Sequence, residues 1–148
     1  MNRKIISMVC SMCMLIASIS TLSVSAIEKT VTNEETIDAA GLITFYSLSI
    51  SKSGTTLYIN AETGSDSIMK SIGFKNIVVE CSYDGNNWST YNPIGNILDS
   101  NSSVCYLDDY SVYAENGYYY RVTLTHYAKE MGLFGSSQSV PNVSNVVW

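Results

Sequence analysis

The chain has 148 residues, with 8 Lys and Arg against 13 Asp and Glu, one His and a formal charge of −5. That balance argues against a nucleic-acid partner, because phosphate recognition rests on clustered Lys and Arg. The length suits one domain and hardly two.

Arg3 and Lys4 precede an apolar run from Ile5 to Ile19 that is broken only by small polar serines. Val24-Ser25-Ala26 then offers the small side chains a signal peptidase reads, so residues 1–26 are expected to be a cleaved signal peptide. The run is shorter than the ~20 residues of a membrane span, and an uncleaved anchor is the alternative. Cleavage removes two cations and no acid, leaving a formal charge of −7. The expected product is secreted and extracellular, with no membrane attachment after signal cleavage. Cys10 and Cys13 leave with the signal, so their C-x-x-C spacing carries no redox or zinc chemistry.

Residues 27–41 read as a polar, acidic leader, partly disordered or containing a short helical turn. From 42 to 148 the pattern is β. In 42–51, LITFYSLSIS, Tyr46, Leu48 and Ile50 alternate with serines, and Leu57, Ile59 and Ala61 mark the next strand. Thr63-Gly64-Ser65-Asp66 is turn chemistry that ends it. Residues 67–72, SIMKSI, fit either a helical turn or an irregular crossover.

The stretch 74–83, FKNIVVECSY, is the clearest strand, with Ile77, Val79, Cys81 and Tyr83 on one side and Val78, Glu80 and Ser82 on the other. Asp84-Gly85-Asn86-Asn87 predicts a hairpin that returns through Trp88–Tyr91. Short strands are expected near 95–98 and 103–107. In 117–127, GYYYRVTLTHY, Tyr118, Tyr120, Val122, Leu124 and His126 share one face; Tyr119, Arg121, Thr123, Thr125 and Tyr127 share the other. Residues 128–137 form a loop, and the segment 138–148 is extended, with Pro141 marking an edge or bulge.

About seven short strands without a convincing helix predict an all-β fold, a single antiparallel β-sandwich, with a small open barrel as the alternative. Cys81 and Cys105, the two cysteines past the signal, are expected to form one disulfide, worth roughly 3 kcal/mol by loop-closure entropy. Two buried free thiols are the alternative.

The segment VVECSYDGNNWSTY, residues 78–91, resembles the third-strand hairpin of fibronectin type III and related immunoglobulin-like domains. GYYYRVTLT, 117–125, resembles their sixth strand. The second strand departs from that pattern, since TTLYINAE at 55–62 has no tryptophan. The whole chain past the signal, with its GYYYRVTLTHYAKEMGLFGSSQSVPNVSN ending, is similar to a group of short exported bacterial proteins. These resemblances imply export and a β-domain, and they imply no activity.

The chemistry that can be read is sparse. His126 has no G-x-S-x-G elbow to serve, and a lone His on a strand is more often packed or solvated. Asp108 and Asp109 are adjacent, so on a strand they point to opposite faces, and a turn is the expected setting. Asp84, Asn86 and Asn87 carry oxygens that suit calcium but lack the spacing of a calcium loop, and a plain hairpin is expected. Asn87, Asn101 and Asn142 begin N-x-S triplets. No catalytic residue, cofactor or metal is assigned.

The aromatic residues, 11 Tyr, 3 Phe and 2 Trp, are the strongest signal. Trp88, Tyr91, Tyr119, Arg121 and Tyr127 form the candidate binding surface, suited to a protein or carbohydrate partner. Ordinary cross-strand pairing, with Arg121 facing Glu80, is the competing explanation. The expected function is non-enzymatic binding outside the cell; a secreted toxin and a small extracellular hydrolase are the alternatives.

Overall fold

A computed structural model describes residues 33–36 and 41–148. The expected signal peptide (1–26) and most of the expected leader lie outside the described residues. Six antiparallel strands form one sheet: β1 (Asn33–Thr36), β2 (Phe45–Ser53), β3 (Thr56–Ser82), β4 (Ser89–Tyr113), β5 (Tyr119–Lys129) and β6 (Ser137–Val143). No helix occurs among the described residues.

The all-β expectation holds, but the strand count and layout differ. β3 and β4 run for 27 and 25 residues, each absorbing segments expected to be separate short strands. Among the described residues, six strands in one sheet stand where about seven strands in two sheets were expected. Leader residues 33–36 form a strand against β2, from Asn33↔Leu48 to Thr36↔Phe45, rather than a disordered or helical stretch.

The reason lies at Gly64. The turn residues there do not end β3; they build a large bulge. Gly64 pairs with Val104 and Met69 with Ser102, so Ser65–Ile68 stand opposite Ser103 alone. A bulge of that size bends a strand without ending it. The β3–β4 hairpin therefore doubles over at its middle. β2 pairs with the first half of β3, from Phe45↔Gly64 to Ser53↔Thr56, and β5 pairs with the second, from Ser71↔Lys129 to Ser82↔Tyr119.

The sheet curls into a half-barrel around one core. Leu48, Ile50, Leu57 and Ile59 come from its first half, and Phe74, Ile77, Val79, Val122 and Leu124 from its second. Two amide side chains close the curl between β2 and the β6 side. Asn145 accepts from Ile50 N and donates to Ile50 O, both at 2.9 Å, imitating a neighbouring strand. Gln138 Oε1 accepts from Ile43 N at 2.9 Å.

Gly73 is the tightest point. Its φ of +145° disfavours any side chain, and a Cβ there would stand 2.4 Å from the Ile97 carbonyl oxygen and 3.0 Å from Cys105 Sγ. Glycine lets β4 lie flush on β3.

The expected disulfide is not formed: Cys81 and Cys105 are free thiols. Both side chains are directed toward the core, as alternation required, but Cys105 packs beside Gly73. Cys81 lies eight residues further along β3, on the order of 20 Å away, and a disulfide needs Cα atoms within about 7 Å. Burial, reinforced by the neighbouring Asp99, pushes the Cys105 thiol up to about 12.

β4 pairs only with β3 among the described residues, so its outer edge is open. Pro93, Asp99, Asp108 and the positive-φ residues Asn101 and Asp109 interrupt that edge, which discourages pairing with another chain.

Candidate binding surface

The hairpin joining β3 and β4 is organised by one carboxylate. Asp84 Oδ1 accepts from Asn86 N (2.9 Å), Asn87 N (2.8 Å) and Ser82 Oγ (2.9 Å), and Oδ2 accepts from Asn87 Nδ2 (2.7 Å). The backbone N–H of Asn87 leads the donors that hold the carboxyl well below the usual carboxylate range. Asp84 thus spends its oxygens on the turn itself, and the turn delivers Trp88 to the start of β4.

Trp88 lies against Arg121. The guanidinium carbon is 4.3 Å from the indole centroid, and Arg121 Nε donates to Glu80 Oε2 at 2.6 Å. Register explains both contacts: Glu80 on β3 faces Arg121 on β5, the pairing expected from the sequence. A cation on an indole face and a carboxylate at its edge fix the guanidinium plane, each contact contributing about 1 kcal/mol. The ion pair is only about a quarter exposed, so its orientation is held more firmly than on an open surface.

More aromatic rings gather beside it. Val147 exchanges two backbone hydrogen bonds with Tyr120, 2.8 and 3.0 Å, which docks the closing segment along β5. Trp148 is thereby set against Tyr119, with ring centroids 6.5 Å apart. Tyr83 and Tyr118 meet edge to face at 6.2 Å. Tyr83 is 81% exposed and Trp148 71% exposed. Trp88, Tyr119, Arg121 and Trp148, with Glu80 beneath, make one aromatic platform at the start of β5.

The other two expected residues lie elsewhere. Tyr127 sits eight residues along β5, roughly 25 Å from Tyr119, with Lys75 Nζ 3.2 Å from its ring centroid. Tyr91 turns inward. Thr90 pairs with Glu80 and Asn92 with Val79, so Tyr91 is the extra residue of a bulge. Its ring packs edge to face on buried Tyr120 at 5.3 Å, and desolvation raises its pKa. Trp148, Tyr83 and Tyr118 were missed; the aromatic run at 118–120 and the apolar VVW ending were the signals available.

His126 is structural. It is fully buried, with the Tyr46 and Phe74 rings at 4.7 and 5.7 Å. Asn142 Oδ1 accepts from Val143 N at 2.8 Å, which fixes that amide so that Nδ2 donates to His126 Nε2 at 3.3 Å. Nε2 is therefore unprotonated, and the proton on Nδ1 goes to Thr63 Oγ1 at 2.7 Å. Thr63 in turn donates to the Gly73 carbonyl at 3.3 Å. Every polar atom of the neutral ring is used, and burial lowers its pKa to about 4. This ring pins β3, β5 and the strand after them; no substrate reaches it.

Asp108 and Asp109 lie within β4, not in a turn. Asp109 takes a φ of +45° at a bulge and exchanges hydrogen bonds with the Asn60 amide, 2.9 and 3.2 Å. Asp108 borders a shallow depression of about 390 Å³ with Ser47, Asn60, Glu62 and Tyr106. Glu62 is hydrogen-bonded to the Tyr106 hydroxyl, raising the phenol's pKa. Among the described residues no group of three or more His, Cys, Asp or Glu is placed to hold a metal ion. No helix of the described residues is long and apolar enough to cross a membrane. Compared with known proteins, the chain matches no family model, no curated protein and no solved structure.

Proposed function

We propose that the protein is a secreted, non-enzymatic binding domain that engages a protein or carbohydrate partner at or outside the cell surface. We read its curled sheet as a sandwich-like scaffold, with the 78–91 hairpin and the 117–125 strand in the manner of fibronectin type III domains. The observation that carries the binding reading is the immobilised Arg121, clamped between Trp88 and Glu80 beside the exposed Trp148 ring. Planar donors and flat rings in fixed positions recognise sugars and peptide surfaces at low entropic cost.

The test is a glycan array and a pull-down from culture supernatant, each run with wild type and with Trp88→Ala and Trp148→Ala. A specific partner lost in both variants supports the reading. Silence in both assays, with turnover in a broad hydrolase screen, overturns it.

A further inference from the structure

Strand register lays out the platform at the start of β5 as two rows. Trp88 directly precedes Ser89, the partner of Cys81, and Ser82 faces Tyr119. Trp148 follows Val147, which is bonded across to Tyr120. The rings of Trp88, Tyr119 and Trp148 therefore share one row. Two residues further along, Thr90 faces Glu80 and Glu80 faces Arg121, which makes a polar row on the same side of the sheet. The rows are roughly 7 Å apart, the separation of alternate residues in a strand.

The ion pair in the polar row leaves hydrogen-bonding groups over. Glu80 Oε2 is taken by Arg121 Nε at 2.6 Å, but a guanidinium has further donors on its two terminal nitrogens. Among the described residues, neither those nitrogens nor Glu80 Oε1 has a protein partner. Both side chains stay partly exposed, so a ligand can reach them. The Nε–Oε2 bond holds a donor and an acceptor side by side, and the Trp88 ring fixes the plane of the donor. A ligand that fits accepts and donates from adjacent atoms and has an apolar face for the row of rings.

Charge narrows the class. Near the start of β5, Arg121 and Lys52 stand against Glu80, Asp84 and Glu115, so no cationic patch forms. An incoming carboxylate or phosphate would meet the Glu80 anion beside the Arg121 cation, and the two effects oppose each other. A peptide strand presents its N–H and C=O groups to an open sheet edge, whereas these groups stand on a sheet face. Neighbouring hydroxyls of a sugar each donate and accept, and the C–H face of its ring buries apolar area against an indole.

We propose that the platform binds a neutral carbohydrate, with a pyranose ring on Trp148 beside Tyr119 and two adjacent hydroxyls on the terminal nitrogens of Arg121 and on Glu80 Oε1. This inference rests on the binding-domain reading and narrows it to one class of ligand. Trp148, 71% exposed, supplies the open ring, while Trp88 keeps a face on the guanidinium.

Tryptophan fluorescence of the exported protein tests this, titrated with neutral cellopentaose, laminaripentaose and mannopentaose and with an acidic pentamer of galacturonate. At least one neutral sugar is expected to shift the emission, with an affinity that changes less than about twofold as salt rises. Trp148→Ala should weaken it about tenfold. Arg121→Lys keeps the charge but loses the planar fork, and should cost a similar factor. Glu80→Gln leaves the guanidinium charge unmatched, so galacturonate binding should appear and should fall with salt, a gain that misfolding does not produce. Trp148 lies outside the core, so thermal unfolding of its variant should match wild type. A Trp148→Ala protein that binds the sugar like wild type overturns the inference. Salt-sensitive binding of galacturonate alone by wild type overturns it too and leaves the binding reading intact, as does capture of a protein through Trp148 with no sugar bound. No shift with any neutral sugar also overturns it, and the binding reading falls with it only if no protein is captured either.

Discussion

The two ends of β5 carry aromatic and apolar side chains to opposite purposes. At its start, Tyr120 is buried, Tyr119 meets Trp148, and Arg121 is held by Trp88 and Glu80, so each group already has a partner within the fold. Past its end, Leu133 and Phe134 project with almost no contact. Side chains that pack stabilise the fold and shape a surface as a by-product; side chains that do not pack contribute nothing to stability, and their presence asks for an external explanation. Stability and function should therefore separate along one strand.

The largest effect should come from the buried start. Tyr120→Ala removes a fully buried ring that donates to the Glu115 carbonyl and supports Tyr91, and should destabilise by about 4 kcal/mol in denaturant unfolding. A loss under about 1 kcal/mol would break the contrast between the ends.

Next is the pin under the far end. His126 has its pKa lowered from 6.5 to about 4, so between those values only the unfolded chain binds the proton. The contribution of His126 to stability is complete above pH 6.5, falls by about 3 kcal/mol as pH drops toward 4, and changes no further below. Asp84 titrates lower still, its stabilisation being lost only as pH falls below its ordinary 3.8, so the two windows separate. His126→Gln should flatten the slope between pH 6.5 and 4, measured as unfolding midpoint against pH.

The platform ranks third. Trp88→Ala should destabilise by about 1 kcal/mol, through loss of the cation–ring contact, while removing partner binding altogether. The loop comes last: Leu133→Ser and Phe134→Ser should each shift stability by less than about 0.5 kcal/mol. A larger loss in either would mean that the tip packs on its own domain.

Particular residues show how far the sequence could be read. The strict alternation of β5 and the Asp84 hairpin both follow from local pattern, because a strand's period of two and a turn's need for side-chain acceptors act over a few residues. The candidate surface was legible only in part. Trp88, Tyr119 and Arg121 come together, but Tyr91 does not, because the bulge between Thr90 and Asn92 turns it toward the core. One inserted residue reverses parity, and no feature of the sequence announces it.

By itself, then, the sequence determined that this is a β protein, which residues of β2 and β5 face inward, and where its main hairpin turns; at the end of β3 the expected parity fails, with Ser82 buried and Tyr83 exposed. Only the tertiary structure decided that Gly64–Asp66 bends a strand instead of ending it, that Cys81 and Cys105 stand too far apart to bond, and that Leu133 and Phe134 meet nothing. The physical reason is range. Alternation and turn chemistry are properties of neighbouring residues, whereas bulge register, the separation of two thiols and the exposure of a loop depend on where the rest of the chain lies.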